Sequence, residues 1–357
     1  MKKIYMISTA MSLLSCVVSD FSYAQTCTAA PSCEEMGYTQ SASDCAGKIS
    51  LRCPFDTTAY LCLELGSGDD GNGDTDDIIE LMFNVADPVA VSFTYGGGSI
   101  KVDCGNGYVA TGKTSNTSNV SCVWSVPGNY TLKLSGDFTY YGGSSIKPTS
   151  LVKIDKNSIT KMGNICPTSK LTSLPMLPPN LKDATGMFSS CSIDFANGLE
   201  LPEGLEIADD MFYGSYPIKG EVKLPSTLKS AKNMFRAGST GSKFSVTGLE
   251  NTQIKDASYM FYNVCISSIS GLPPALENGN YMFYNNNCTT IMPSLPTTLS
   301  NAEYMFWTNR YISYETSGNY ILPDYSNFPN LTNFKDMFAG GNKISSSKNP
   351  SWPAEAW

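Results

Sequence analysis

Beyond Ser150 the dipeptide Met-Phe recurs at Met187-Phe188, Met211-Phe212, Met234-Phe235, Met260-Phe261, Met282-Phe283, Met305-Phe306 and Met337-Phe338. Successive copies lie 24, 23, 26, 22, 23 and 32 residues apart, and Met162-Gly163, 25 residues ahead of the first, reads as a degenerate entry unit. Six residues before each Met stands an aliphatic side chain: Leu181, Leu205, Leu228, Ile254, Leu276, Leu299 and Leu331. Three positions after it comes Ala184, Ala208, Ala231, Ala257 or Ala302, with Gly279 and Phe334 as the exceptions. A unit this short cannot bury its own apolar face, so several must stack to make a continuous core. A catalytic motif needs to occur once; a recurring one reports architecture.

Offsets of 0, 3, 6 and 7 describe one face of about two helical turns, so each unit is predicted to carry a short helix. Pro179, Pro202, Pro225, Pro274, Pro296 and Pro329 stand ahead of these stretches, where a missing N–H costs a helix little. Between them lie the β-prone pieces "GEVKLP", "KFSVTGL", "SSISGLP" and "TTIMPSLP", each expected to form one strand. The expected fold is modular α+β: a solenoid with one strand and one short helix per 22–26 residues, as in leucine-rich repeats, over residues 142–357.

The pattern L-x-x-A-x-x-M-F-x-x-C, as in "LKDATGMFSSC", closely resembles the repeat of BspA-like bacterial surface proteins, whose units run L-x-N-M-x-x-M-F-x-G-C. The match spans roughly residues 148–341. This chain departs from it in carrying Ala where the family often has Met, and a Cys after Met-Phe in only some units. The resemblance implies a secreted or surface-exposed leucine-rich-repeat protein, in a family associated with adhesion to host matrix proteins or other cells. Its partner would be a protein or glycan on host or neighbouring cells. A structural envelope role without a specific ligand is the alternative.

Ahead of the repeats the pattern changes several times. Residues 1–24 begin "MKKIYMISTAMSLLSCVV" and read as a secretory signal cleaved after Ala24, which predicts export and a secreted or cell-surface location. "LLSC" is a rival reading, resembling a lipobox that would place a lipid on Cys16. No other apolar stretch approaches the ~20 residues needed to span a bilayer. Twelve cysteines in an exported chain argue for disulfides, and without Cys16 eleven remain. Cys27, Cys33, Cys45, Cys53 and Cys62 crowd residues 25–65, a stretch expected to be held by cross-links; zinc-type C-x2-C pairs are missing. Residues 66–78 read as a Gly/Asp linker. Asp70, Asn72 and Asp74 have calcium-loop spacing, but Thr75 and Leu81 stand where that loop requires Gly and Glu.

Residues 79–141 alternate as short strands between turn residues, which predicts a small β-sandwich. "VDCGNG" and "SVPGNYTLKLSG" resemble PKD-type sandwich domains, with Cys104 at the tryptophan position and Asn106 at that of the second Asp. Cys104 and Cys122 fall on strands of this one domain and are candidates for a disulfide. Cys166 and Cys191 occupy equivalent sites on adjacent repeats, and Cys265 and Cys288 nearly equivalent ones. Either bridges between coils or a ladder of buried thiols would suit them.

The chain has no histidine, which excludes imidazole chemistry and His-ligated zinc. With 24 basic and 32 acidic residues and no basic cluster, it shows no nucleic-acid footprint. S-x-x-K occurs at Ser144-Lys147, Ser150-Lys153, Ser158-Lys161 and Ser345-Lys348, as expected by chance in a Ser-rich chain, and no motif pairs carboxylates. No catalytic, cofactor or metal residue is therefore assigned and no enzyme is expected, a carboxylate-dependent hydrolase being the remote alternative. The register does produce two aromatic columns: Tyr259, Tyr281 and Tyr304 just before Met, and Tyr213, Tyr262, Tyr284 and Trp307 just after Phe. Exposed, they would form a stripe for protein or glycan contact; otherwise they seal the solenoid's side. The stretch "TNRYISYETSGNYILPDYSNFP" lengthens the last repeat as a binding loop or a looser coil, and Trp352 and Trp357 are placed to cap it.

Overall fold

In a computed structural model the chain divides into two compact units, Met1–Gly73 and Asp74–Trp357. The structure describes residues 77–236, 243–286, 288, 293–308, 322–340, 346 and 349–357, together with the backbone of five short strands in the first unit. Of those strands, β1 (Ile4–Tyr5), β2 (Leu14–Val17) and β3 (Thr26–Ala29) form an antiparallel sheet, and β4 (Ile49–Arg52) pairs with β5 (Tyr60–Leu63). Apart from that backbone, the signal, the five crowded cysteines and the Asp70–Asp74 loop lie outside the described residues, as does most of the insertion in the last repeat. No helix among the described residues is long and apolar enough to cross a membrane.

The second unit opens with seven strands: β6 (Ile79–Val85), β7 (Val89–Asp103), β8 (Val109–Trp124), β9 (Gly128–Ser135), β10 (Tyr140–Ser144), β11 (Ser150–Lys153) and β12 (Lys161–Met162). They are ordered β11-β6-β9-β7-β10-β12, with β8 paired to β7. The alternation of β6 is strict: Ile79, Leu81, Phe83 and Val85 are buried while Met82 and Asn84 face solvent, the period-2 signature of a half-buried strand. Strand β7 changes partner along its length, pairing with β10 around Phe93–Gly96 and with β9 at Lys101–Asp103. The change falls where the β7–β8 register shifts between Gly96 and Gly98, and Gly97 there takes φ 69°, a conformation that glycine adopts without penalty. Trp124 lies fully buried 5.3 Å from Phe83 and donates from Nε1 to the Cys104 carbonyl at 2.8 Å.

Strand β12 joins this sheet to the repeats. It pairs in parallel with β10, and Lys161 bridges in parallel to Asp183. From Asp183 one column of parallel bridges runs through Ile207, Ser230, Asp256, Asn278, Asn301 and Asn333. A second column is the parallel sheet of β13 (Ser192–Phe195), β15 (Tyr216–Lys223), β16 (Lys243–Thr247) and β17 (Cys265–Ile269), with β14 (Leu199–Glu200) also on β15. The arrangement is a β-solenoid, and its core is continuous with that of the seven-stranded sheet.

The helix predicted in each repeat does not form; among the described residues there is no α-helix, only short 3₁₀ turns such as Leu249–Asn251. The inward positions are nonetheless those the offsets require: Leu181, Ala184, Met187 and Phe188 and their equivalents are buried in every coil. The reason is a degeneracy of the pattern. Gly186, Asp210, Asn233, Tyr259, Tyr281, Tyr304 and Asp336, each just before Met, have positive φ, and a left-handed residue interrupts a right-handed helix. Tandem turns replace it, with Met187 N–H donating to the Ala184 carbonyl and Cys191 N–H to that of Phe188. The intervening N–H groups point along the solenoid axis: Ala184, Gly186, Phe188 and Ser190 donate to Ile207, Asp209, Met211 and Tyr213 of the next coil at 2.7–2.9 Å. Every backbone donor in the stretch is thereby used. Phe188, Phe212, Phe235, Phe261, Phe283, Phe306 and Phe338 stack along the core with ring centroids 5.4–6.0 Å apart.

Ion pairs join neighbouring coils outside this core, among them Lys161–Asp183 at 2.8 Å and Lys232–Asp256 at 3.0 Å. Burial alone would raise the Asp183 carboxyl, but hydrogen bonds from Lys161 and Thr185 outweigh it and hold the group below the usual carboxylate range. For Asp256, burial is likewise outweighed by hydrogen bonds from Ser258 and Lys232. A carboxyl depressed on folding contributes stability that is present above its unfolded pKa, near 3.9 for Asp, and lost as pH falls through the folded value. The melting temperature is therefore expected to stay level from about pH 7 to 5 and to fall below about pH 4. Asp183→Asn with Asp256→Asn should flatten that acid limb, and an unaltered limb in a pH series of thermal melts would rule the linkage out.

Candidate functional site

Two registers of the repeat depart from the core rule and face outward side by side. The position before Met reads Gly186, Asp210, Asn233, Tyr259, Tyr281, Tyr304 and Asp336 along the coils, and the position after Phe reads Ser189, Tyr213, Arg236, Tyr262, Tyr284, Trp307 and Ala339. In the first column Tyr259, Tyr281 and Tyr304 stack at 4.8 Å per step. In the second, Tyr262, Tyr284 and Trp307 stack at 4.7 and 4.5 Å. The columns also touch each other, with Tyr259 and Tyr262 5.8 Å apart and Tyr281 and Tyr284 5.3 Å apart. All six rings are half-buried, and Tyr213 at the end of the second column is 39% exposed.

Arg236 continues the second column; the aromatic pattern does not reveal it, because it is not aromatic, whereas the register of the position after Phe does. Its guanidinium lies 4.9 Å from the Tyr262 ring, 4.7 Å from Tyr259 and 5.8 Å from Tyr213, so a planar cation fills the one coil between Tyr213 and Tyr262. At the other end of the first column the Lys335 ammonium lies 5.9 Å from the Tyr304 ring. Cations thus bracket a patch of six rings.

Near-parallel stacking consumes the ring faces. What remains for a ligand is the ring rims, whose C–H edges are electropositive, and the phenol hydroxyls. Among the described residues, none of these phenols has a hydrogen-bond partner. Burial, then neighbouring Tyr259 and Glu303, push the Tyr281 phenol up to about 12, and burial with Tyr262 raises that of Tyr284; both remain proton donors at neutral pH. Amides and hydroxyls flank the rings: Asn285 Nδ2 donates to Asn263 Oδ1 at 2.7 Å and Thr308 Oγ1 to Asn285 Oδ1 at 3.4 Å. Ser258, Asn280 and Glu303 occupy the register on the other side.

The six candidate cysteines form three bridges. Cys104–Cys122 lies within the seven-stranded sheet, with Cα atoms 5.7 Å apart. Cys166–Cys191 and Cys265–Cys288 join adjacent coils, with Cα separations of 5.3 and 5.1 Å. The last of these ties together the coils that carry Tyr262 and Tyr284. At the far end, Trp352 and Trp357 each lie 5.3 Å from Phe338, and the Phe338 N–H donates to the Ala356 carbonyl. Residues 352–357 thus cover the final coil. Comparison with protein-family models, curated proteins and solved structures finds no match to this chain.

Proposed function

We propose that the repeat segment is an exported ligand-binding module of the BspA-like leucine-rich-repeat kind, secreted or held at the bacterial surface, that contacts a protein or glycan through the aromatic double column. Three left-handed tyrosines carry this reading. At the position before Met, four coils use Gly, Asp or Asn, the residues that tolerate positive φ, while Tyr259, Tyr281 and Tyr304 adopt φ 53–58° in three consecutive coils. A bulky residue held there costs about 1–3 kcal/mol. Each aromatic pair returns about 0.5–1.5 kcal/mol beyond its burial; the column has two stacked pairs and three tilted contacts with the second column, so internal packing offsets much of this cost. Asn would build the same turns with less strain. Packing within the chain and contact with a ligand both account for tyrosine here; what favours the ligand is that the strain recurs in three consecutive coils at an outward-facing register, since stored backbone strain clusters at functional sites.

Replacing Tyr262, Tyr284 and Trp307 together with Ser should weaken binding at least about tenfold, or ~1.4 kcal/mol, on an array of matrix proteins and glycans probed with the full-length protein. Secretion should be unaffected. Undiminished binding to every ligand captured by the wild type would overturn the assignment.

A further inference from the structure

We infer that the ligand of the double column is a polypeptide in the polyproline II conformation, lying along the solenoid axis across the coils of Tyr259, Tyr281 and Tyr304. This rests on the double column being the binding surface and names the class of partner it fits. The argument begins with length. A polyproline II helix has three residues per turn, each rising about 3.1 Å, or about 9.3 Å per turn. Two coil intervals, 4.8 Å from Tyr259 to Tyr281 and 4.8 Å from Tyr281 to Tyr304, cover that length almost without remainder. The second column has the same period, at 4.7 and 4.5 Å. Every third ligand residue would therefore meet every second coil in the same way. A β-strand repeats every two residues, about 6.7 Å, which falls between one interval and two, so its side chains would drift out of step with the rings.

The chemistry agrees with the length. A polyproline II segment makes no internal hydrogen bonds and presents its carbonyl oxygens to its surroundings. The patch offers what such oxygens accept: phenol hydroxyls and electropositive ring rims. The peptide is extended before it binds, so ordering costs it little, the property exploited by other aromatic surfaces that recognise proline-rich segments. Charge at the ends is mixed, with Asp210 near Arg236 and Glu303 near Tyr281, so an acidic ligand residue is favoured only where it meets the Arg236 guanidinium that closes the ring stack.

The test is fluorescence anisotropy of a labelled decaproline bearing one terminal aspartate, titrated with the full-length protein. A Gly/Ser peptide of equal length and a neutral β-linked oligosaccharide serve as the other two probes. Tyr281→Asn is the informative variant, because Asn already occupies this position at Asn233 with φ 52°, so the turn is kept while one ring is lost from the centre. Saturable decaproline binding is expected, at least tenfold weaker in Tyr281→Asn and several-fold weaker in Arg236→Gln, with Tyr281→Asn still unfolding in one cooperative transition. The Gly/Ser peptide should bind at least tenfold more weakly than decaproline. No saturation by decaproline, equal binding of the Gly/Ser peptide, or full affinity in a folded Tyr281→Asn would each overturn the inference. If the oligosaccharide alone binds and Tyr281→Asn abolishes it, the polyproline assignment fails while the double column stands as the binding surface. If Tyr281→Asn alters no binding at all, both fail.

Discussion

Asp77→Ala is expected to destabilise the unit Asp74–Trp357 by about 3–5 kcal/mol, the usual cost of stranding a buried charge. The charge is Lys156, only 1% exposed. Its Nζ donates to Asp77 Oδ2 at 2.9 Å and to the Asp77 carbonyl at 3.0 Å, and lies 5.5 Å from the centre of the Phe138 ring. The second carboxylate oxygen of Asp77 accepts from the Asn157 N–H at 2.6 Å. One short side chain thus fastens the start of β6 to the segment after β11, about eighty residues later. Losing it leaves an ammonium with one carbonyl and a ring for company. Lys156→Met should be milder, because the Asp77 side chain is 25% exposed and water can replace its partner. Asp77→Ala combined with Lys156→Met should recover much of the loss of Asp77→Ala, since the stranded charge is then gone. Urea melts of the three variants decide it: if the double variant is as unstable as the sum of the singles, the pair is not the origin of the effect.

Asp77 also shows where reading by composition stops. It ends a run of Gly and Asp residues that resembles a linker, and only its partner, far away in sequence, makes it structural. The parallel pairing of β10 with β12 that fuses the sheet to the first coil escapes the sequence in the same way, because Met162-Gly163 looks only like a weak repeat. What the sequence did carry was the register. It placed Leu, Ala, Met and Phe inward, put Cys166 beside Cys191 and Cys265 near Cys288, and aligned the tyrosines in columns. It left the backbone undecided, because residues at offsets 0, 3, 6 and 7 share a face in a helix and in these tandem turns alike. The distinguishing signal was present in Gly186, Asp210, Asn233 and Asp336, which favour the left-handed conformation. Tyr259, Tyr281 and Tyr304 hid it by occupying the same position in the other coils. Arg236 stays outside the aromatic pattern because it is not aromatic, though its planar group fills an aromatic's place.

Phe261→Ala should remove about 3–5 kcal/mol, the range for truncating a buried Phe in a core that cannot collapse around the gap. Phe261 is fully buried in the middle of the ring stack, 5.8 Å from Phe235 and 5.5 Å from Phe283, with Phe244 of β16 at 6.4 Å. Its coil is fixed to both neighbours by inter-coil hydrogen bonds, such as Phe235 N–H to the Met260 carbonyl and Phe261 N–H to the Met282 carbonyl, so the cavity cannot close by sliding. In a stack each unit is held chiefly by the two beside it, and an interior loss weakens both contacts together. Because the solenoid core runs on into the sheet, the expected result is one cooperative transition lowered by roughly 6–15 °C. Phe261→Leu, which refills most of the volume, should lose less than half as much stability. Calorimetry showing a new early transition, with the main one unmoved, would mean that the coils unfold piecemeal. Tyr281→Asn supplies the contrast: one position before Met282, outside the core, it trades relieved backbone strain against four lost ring contacts and leaves the phenylalanine stack intact. A stability loss at Tyr281 much smaller than that at Phe261 would separate the positions that build this solenoid from those it holds out for a ligand.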